Sequence, residues 1–325
     1  MTNRSPNVLD SATAPAPTSP GPRPAWVTDL LMLGAAMIWG STFVAQHLGM
    51  DGVGPFMFTG ARFLLGALLV LPLWSRRPAW LGQPTPQDLH GAGGTHLWWA
   101  GLGLGLVLFA GVNAQQVGLL GTTVSNAGFI TGLYVVIVPF MLLGMGQRMQ
   151  NSLWAAVGLA AIGLYLLSVK ADFAVAPGDW LQLVSALIWA LHVVLVGVLA
   201  RRHDPLRLAI VQYLVCAVLS LGVAWWQEPI SWAGLLRAAP AIVYGGALSV
   251  GVAYTLQVVA QKTAKASHAA IIYSSEGLFS ALCGAWILGE QLGARGMLGG
   301  ALMLAAMLLA QWRRTPDAEP QRSTP

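Results

Sequence analysis

Residues 38–49, IWGSTFVAQHLG, return in diverged form at residues 188–199 as IWALHVVLVGVL, an offset of 150. The same offset sets GARFLLGALLVLPLW (60–74) against IVQYLVCAVLSLGVA (210–224), so Trp39 stands opposite Trp189 and Arg62 opposite Gln212. A shorter offset, 142, aligns SNAGFITGLYVVIVP (125–139) with SHAAIIYSSEGLFSA (267–281), pairing Ser125 with Ser267, Asn126 with His268 and Tyr134 with Glu276. Self-similarity sustained at a nearly fixed offset is a property of architecture rather than of one motif. The chain therefore reads as two copies of one unit.

Hydropathy says what each unit contains. Ten apolar segments occupy roughly 29–49, 56–74, 97–117, 123–144, 152–169, 179–200, 207–226, 240–260, 267–288 and 295–312. A helix crosses the hydrocarbon layer in about 20 residues, so the pattern predicts ten transmembrane helices, five per repeat. An odd number forces the second copy to enter the membrane from the opposite side, giving an inverted-topology repeat suited to alternating access. The predicted fold is an all-α integral membrane protein with its two five-helix repeats, 29–170 and 179–312, around a central cavity. Residues 1–28, rich in Pro, Ser, Thr and Ala, and 313–325 read as polar cytoplasmic tails, and 75–96 as one longer loop.

Composition agrees. Of 325 residues, 56% are hydrophobic and 9% charged, against about a quarter charged in soluble domains, which excludes a water-soluble enzyme. The net charge of +5 comes from 17 Lys and Arg against 12 Asp and Glu, and the basic residues are scattered over short connections rather than gathered into a stripe for nucleic acid. Placing the amino terminus in the cytoplasm leaves 13 basic residues inside and only Lys170, Arg237 and Arg295 outside. That bias follows the positive-inside rule and puts both termini in the cytoplasm. Cys216 and Cys283 lie in apolar runs without CxxC spacing, which argues against a disulfide framework or thiolate metal site. No metal and no cofactor are expected.

The strings IWGSTF of the first helix, ARFLLGALLVLPL of the second, TTVSNAGFITGLYVVIVP of the fourth and AKASHAAIIYSSEGLFSALCGAWILGEQL of the ninth resemble the drug/metabolite transporter superfamily. Over about 30–311 the chain is similar to two tandem EamA-type domains. The resemblance implies a secondary transporter of a bacterial inner membrane, with helices 1, 3, 4, 6, 8 and 9 lining its cavity. It further implies export of amino acids or other small metabolites, with uptake or drug efflux as the alternative. A sensor or assembly subunit without flux is the reading of a different class.

Buried polar residues stand beside that resemblance. A charge at mid-membrane costs about 2.5–3.5 kcal/mol on insertion scales, so it faces a cavity or a partner. Two residues qualify. Glu276, about ten residues into the ninth segment, can exchange a proton, meet an ammonium group, or serve as a packing carboxyl satisfied by neighbours. Arg62, shallower in the second segment, can bind a carboxylate, pair with an acid such as Glu276, or anchor its helix. Helical periodicity gathers further polar faces: Trp39, Phe43 and Gln46; Phe109, Asn113 and Gln116; Asn126, Ile130 and Tyr134; Trp189 and His192; Tyr254 and Gln257; Tyr273, Glu276 and Ser280. Each serves either substrate contact or helix packing.

Three further features have plainer readings. Trp26, Trp74, Trp98, Trp99, Trp225, Trp226 and Trp312 lie near segment ends and read as interfacial belts, whereas Trp39 and Trp189 are mid-segment and suit a gate, a stacking platform or core packing. Gly101 to Gly105 follows no strand and is no nucleotide loop, and the Gly296 and Gly300 pair suits packing within the chain or the seam of a homodimer. The chain has no HExxH, GxSxG or Walker A sequence and no second acid paired with Glu276, so neither an intramembrane enzyme nor an ATP-driven pump is expected.

Overall fold

The computed structural model describes residues 24–76, 96–168, 176–289 and 293–312. Of the tails expected at 1–28 and 313–325 and the loop expected at 75–96, residues 1–23, 313–325 and 77–95 fall outside them, while residues 25–28 belong to the first helix. Within the described residues the chain is helical throughout, in ten apolar rods. These are α1 (Ala25–Gly49), α2 (Pro55–Trp74), α3 (Leu97–Gly121), α4 (Val124–Gly144), α5 (Asn151–Ser168), α6 (Pro177–Leu199), α7 (Pro205–Gln227), α8 (Trp232–Gln261), α9 (Ala266–Leu288) and α10 (Ala294–Trp312). Eight are long and apolar enough to cross a membrane, and α5 and α10 are shorter apolar helices. We call the side where α1 begins and α10 ends the near face, and the other the far face.

Proline at the first position starts α2, α6 and α7, where the missing N–H costs nothing. The carboxylates that cap these helices show how the two repeats diverged. Asp204 accepts the Arg207 N–H at 2.9 Å and caps α7 from its own helix. Its counterpart 150 residues earlier is Gly54, and there the carboxylate comes from across the fold. Glu228, just beyond α7, accepts the Phe56 and Met57 N–H groups at 2.8 Å each.

Packing obeys the repeat. The pairs α2·α7 and α5·α10 join equivalent helices, while α1·α8 and α1·α9 in one half answer α6·α3 and α6·α4 in the other. Small residues permit the closest approaches. A Cβ added at Gly40 of α1 would lie 2.6 Å from the Glu276 carbonyl of α9, and one at Gly163 of α5 would lie 2.7 Å from the Gly299 carbonyl of α10. Gly300 is buried against Leu278 of the same chain, so this part of the glycine pair works in intrachain packing.

Outward faces carry Leu30, Leu68, Leu69, Phe140, Leu191 and Leu308, as a lipid-facing surface should. Trp26, Trp98, Trp99, Trp225 and Trp226 are likewise exposed near helix ends. Trp74 is half-buried and stacks on Trp98 at 6.0 Å.

Three departures from regular helix matter for the site. The rod α4 breaks at Leu133, between Val124–Gly132 and Tyr134–Gly144, and α9 breaks at Ser274 and Ser275, between Ala266–Tyr273 and Glu276–Leu288. Both breaks are tightened turns, with Leu133 N–H donating to Ile130 O and Ser275 N–H to Ile272 O. They are repeat-equivalent, since Tyr134 and Glu276 each open the second half-helix. The third departure is in α8, which widens to a π-helical stretch over Gly245–Tyr254. The same rod begins at Trp232, eight residues before its predicted start, because the hydropathy pattern counted Arg237 as loop and began the segment late, at Pro240, whereas both lie within the helix.

Candidate functional site

Discontinuous helices near mid-membrane free backbone and side-chain groups to face a cavity, and here a cavity lies at both breaks. It is lined by Trp39, Phe43 and Gln46 of α1, Arg62 of α2, Gln115 of α3, and Thr131 and Tyr134 of α4. Trp189 and Val193 of α6, Ser249, Tyr254 and Gln257 of α8, and Tyr273 and Glu276 of α9 complete it. Its free volume is about 30 Å³, room for a water or two.

The walls are aromatic. Trp39 lies 4.8 Å from Tyr254 and 5.3 Å from Tyr273, centroid to centroid. Trp189 stacks on Tyr254 at 6.0 Å and 24°. The two repeat-related tryptophans thus pack on one and the same tyrosine. Tyr254 in turn leans on Phe63 and Tyr213, at 5.6 and 6.3 Å.

The polar groups between those walls are largely unspent. Trp39 Nε1, Gln46 Oε1, Arg62 Nε, Thr131 Oγ1, Gln257 Oε1, Tyr273 OH and Glu276 Oε1 are buried without a hydrogen-bond partner among the described residues. Buried polar atoms in folded proteins are paired with few exceptions. Seven converging on one cavity mark a surface made to meet something polar. Arg62 and Glu276 both line the cavity, yet no ion pair joins them among the described residues. The Arg62 guanidinium carbon lies over Phe58 and Phe63, 5.6 and 5.3 Å from the ring centroids. The Tyr134 hydroxyl stands against the Glu276 carboxyl.

Of the residues singled out in the sequence, Trp39, Phe43, Gln46, Arg62, Tyr134, Trp189, Tyr254, Gln257, Tyr273 and Glu276 meet in this cavity. Asn113, Gln116, Asn126 and His192 lie outside its lining. Asn113 donates to Ser220 Oγ and Phe109 O at 2.9 Å each, tying α3 to α7. Gln116 reaches the Gln46 carbonyl at 3.4 Å. Asn126 sits half-buried in the first turn of α4, its N–H on the Thr123 cap. His192 is buried edge-on to Trp189 and shares a hydrogen bond of 3.0 Å with Gln212.

Four lining residues escaped the periodicity argument: Gln115, Thr131, Val193 and Ser249. Gln115 accepts the Trp189 Nε1–H at 3.1 Å and so holds the indole in the wall. A signal for it existed. The offset of 142 that aligns α4 with α9 also sets Gln115 on Gln257. Among the described residues no cluster of His, Cys, Asp and Glu is placed to hold a metal ion.

Comparison with known proteins gives the same architecture a family. The sequence matches the EamA-like transporter family twice, over residues 26–169 and 176–312. The chain belongs to the EamA-like transporter family. An uncharacterized transporter of Archaeoglobus fulgidus is 30% identical to this EamA-like protein over 292 residues, 88% of this chain and 86% of its own. The uncharacterized transporter YwfM of Bacillus subtilis is 27% identical over 297 residues, 87% of this chain and 93% of its own. A solved crystal structure superposes with a TM-score of 0.69 at 22% identity, covering 88% of this chain and 96% of that one. That likeness bears on the fold alone. The protein is a multi-pass membrane transporter of the drug/metabolite superfamily, its two matched regions corresponding to the two inverted repeats.

Proposed function

We propose that this EamA-like protein is a secondary transporter that carries amino acids or similar small zwitterionic metabolites out of a bacterial cell by alternating access. One observation carries the substrate class. A buried basic and a buried acidic side chain, Arg62 and Glu276, share one aromatic-walled cavity without pairing, among seven polar atoms that lack partners among the described residues. A carboxylate suits the guanidinium and an ammonium suits the glutamate, while the flat faces of Trp39, Trp189 and Tyr254 suit the body of the solute. Uptake or drug efflux through the same cavity remains the alternative direction and cargo.

Alternating access is supported by the size of the two cavities. The central one, at about 30 Å³, is too small for an amino acid, so cargo enters only after the walls part. A far larger vestibule, about 760 Å³, lies on the near face between Arg148, Arg201, Lys265 and His268. The excess of basic residues on that side supports its being cytoplasmic in a bacterial inner membrane. Purified protein in liposomes loaded with a labelled amino-acid panel tests the reading. Saturable efflux of one or more amino acids, lost in Glu276→Gln and Arg62→Gln, is expected. Flux equal to that of empty liposomes for the whole panel, from protein that is folded, refutes it.

A further inference from the structure

The central cavity and the near-face vestibule are separated by a single helical turn. The cavity reaches Val193 and Gln257, and the vestibule begins at Val194, Gly197, Thr263 and Ala264. Between them lies Gln261, one turn beyond Gln257 on α8 and fully buried. Its Nε2 donates to the Val193 carbonyl of α6 at 2.9 Å, and its Oε1 has no partner. A Cβ added at Gly197 would lie 3.6 Å from that Nε2 and 3.4 Å from Ala266 Cβ. The seam is thus one amide thick, and its α6–α8 hydrogen bonds among the described residues are this one and, at the vestibule end, the Arg201 Nη2 donation to the Ala264 carbonyl at 3.1 Å.

The far face has a seam of its own. Phe43, Val44, Leu119, Val124 and Ala127 form an apolar cluster apart from the main core, with Met50 and Cys283 against it. Position by position the two seams are the same structure built twice. The offset of 150 carries Phe43 and Val44 onto Val193 and Val194, and the offset of 142 carries Leu119, Val124 and Ala127 onto Gln261, Ala266 and Ala269. Where the far seam has Leu119, the near seam has Gln261.

We infer that these two seams are the gates of the transport path, and that Gln261 makes the near gate the easier to open. This rests on the transport reading above. Parting the far cluster exposes Phe43, Val44, Leu119, Val124 and Ala127 to water, an unfavourable step, with only the long 3.5 Å bond from Ser280 Oγ to the Val124 carbonyl to release among the described residues. Parting the near seam exposes the smaller Val193, Val194, Ala266 and Ala269, breaks the Gln261 bond and hydrates an amide whose acceptor is already unpaired, and water replaces what the partly exposed Arg201 gives up, so the cost of exposure is lower than at the far seam. Alternating access then runs between a wet near gate and a dry far one, and the resting preference is set at positions 119 and 261.

The test is directional accessibility, which needs no cargo. Ser249→Cys, in the cavity wall, is introduced into a chain carrying Cys216→Ala and Cys283→Ala and reacted with a membrane-impermeant maleimide from either face of oriented vesicles. Labelling from the near face is expected to outpace labelling from the far face, and Gln261→Leu to slow it about tenfold, because opening then exposes an apolar side chain in place of an amide that water hydrates, a cost that exceeds the closed-state hydrogen bond it gives up. Gln261→Asn restores part of the rate, and Leu119→Gln raises labelling from the far face. Size-exclusion and melting profiles matching the parent establish that the variants fold. Unchanged near-face labelling in Gln261→Leu, or unchanged far-face labelling in Leu119→Gln, overturns the proposal. Labelling that shifts as expected in a protein without flux overturns the transport reading and leaves the two seams standing.

Discussion

Gly40→Ala adds one methyl group at the tightest contact between α1 and α9. Its Cβ would lie 2.5 Å from Phe279 Cβ, 2.6 Å from the Glu276 carbonyl oxygen and 2.8 Å from the Ser280 backbone nitrogen. Two of those three atoms are backbone and cannot swing aside, so the helices must separate by about 1 Å to restore ordinary contact distance. Overpacking of this kind costs about 1–3 kcal/mol, and alanine returns about 0.5–1 kcal/mol through helix propensity. The net is a destabilisation of about 1–2 kcal/mol. Gly103→Ala and Gly158→Ala are the internal controls, because a Cβ at either meets nothing within 4 Å, leaving only the propensity gain. Thermal inactivation of the purified protein in detergent should therefore move in opposite directions, faster for Gly40→Ala and slower or unchanged for the controls. Flux should fall in Gly40→Ala alone, since the displaced carbonyl belongs to Glu276. Melting at or above the parent temperature by Gly40→Ala would refute the argument that backbone proximity at this point sets the site.

Other expectations follow from single contacts. Glu228→Ala should lower stability by about 1–2 kcal/mol through loss of the α2 cap, and Gly54→Asp, which clashes with Glu228 in the parent, should restore it in that background by capping from within as Asp204 does; failure of the rescue in a melting assay refutes the cap assignment. Asp29 and His268 meet at 3.0 Å where α1 and α9 begin, and a double-mutant cycle with Asp29→Asn and His268→Gln should give a coupling of about 0.5–3 kcal/mol, with additive losses counting against the pair. Trp189→Phe removes the bond to Gln115 and should cost about 0.6–2 kcal/mol, while Gln115→Leu combined with it recovers part of the loss in the same melt.

Fold class was legible because lipid imposes the strongest constraint on a sequence. Every segment apart from α8 was placed within four residues at either end, and the two offsets, 150 and 142, carried the inverted symmetry. The breaks in α4 and α9 were not legible. No proline marks them, Gly132 to Tyr134 looks like an ordinary member of an apolar run, and the polar Ser274 to Glu276 reads equally well as a cavity-facing stretch of continuous helix. A turn that tightens by one hydrogen bond is decided by what packs around it. The same limit governed the site. Stripes of period 3.6 gathered Asn113 with Gln116, but α3 is packed against α6 and α7, and its two amides bond to Ser220 of α7 and to the Gln46 carbonyl of α1, so they are used between helices while neighbouring Gln115 reaches the cavity.

Inverted duplication also explains why the site lies where it does. Residues close to the pseudo-twofold axis must approach their own counterparts. Tyr134 and Glu276, equivalent in the repeat and equivalent as openers of a half-helix, face each other across the cavity, and Trp39 and Trp189 pack on Tyr254. A perfectly symmetric chain would place identical groups there and bind a symmetric ligand. This chain has diverged on the axis. Arg62 enters the cavity, whereas its counterpart Gln212 is buried against His192, and the carboxylate of Glu276 answers a phenol rather than another carboxylate. Divergence at these pairs gives the cavity one basic and one acidic side chain within a two-fold frame, the asymmetry that the proposed carrier of small zwitterions would use.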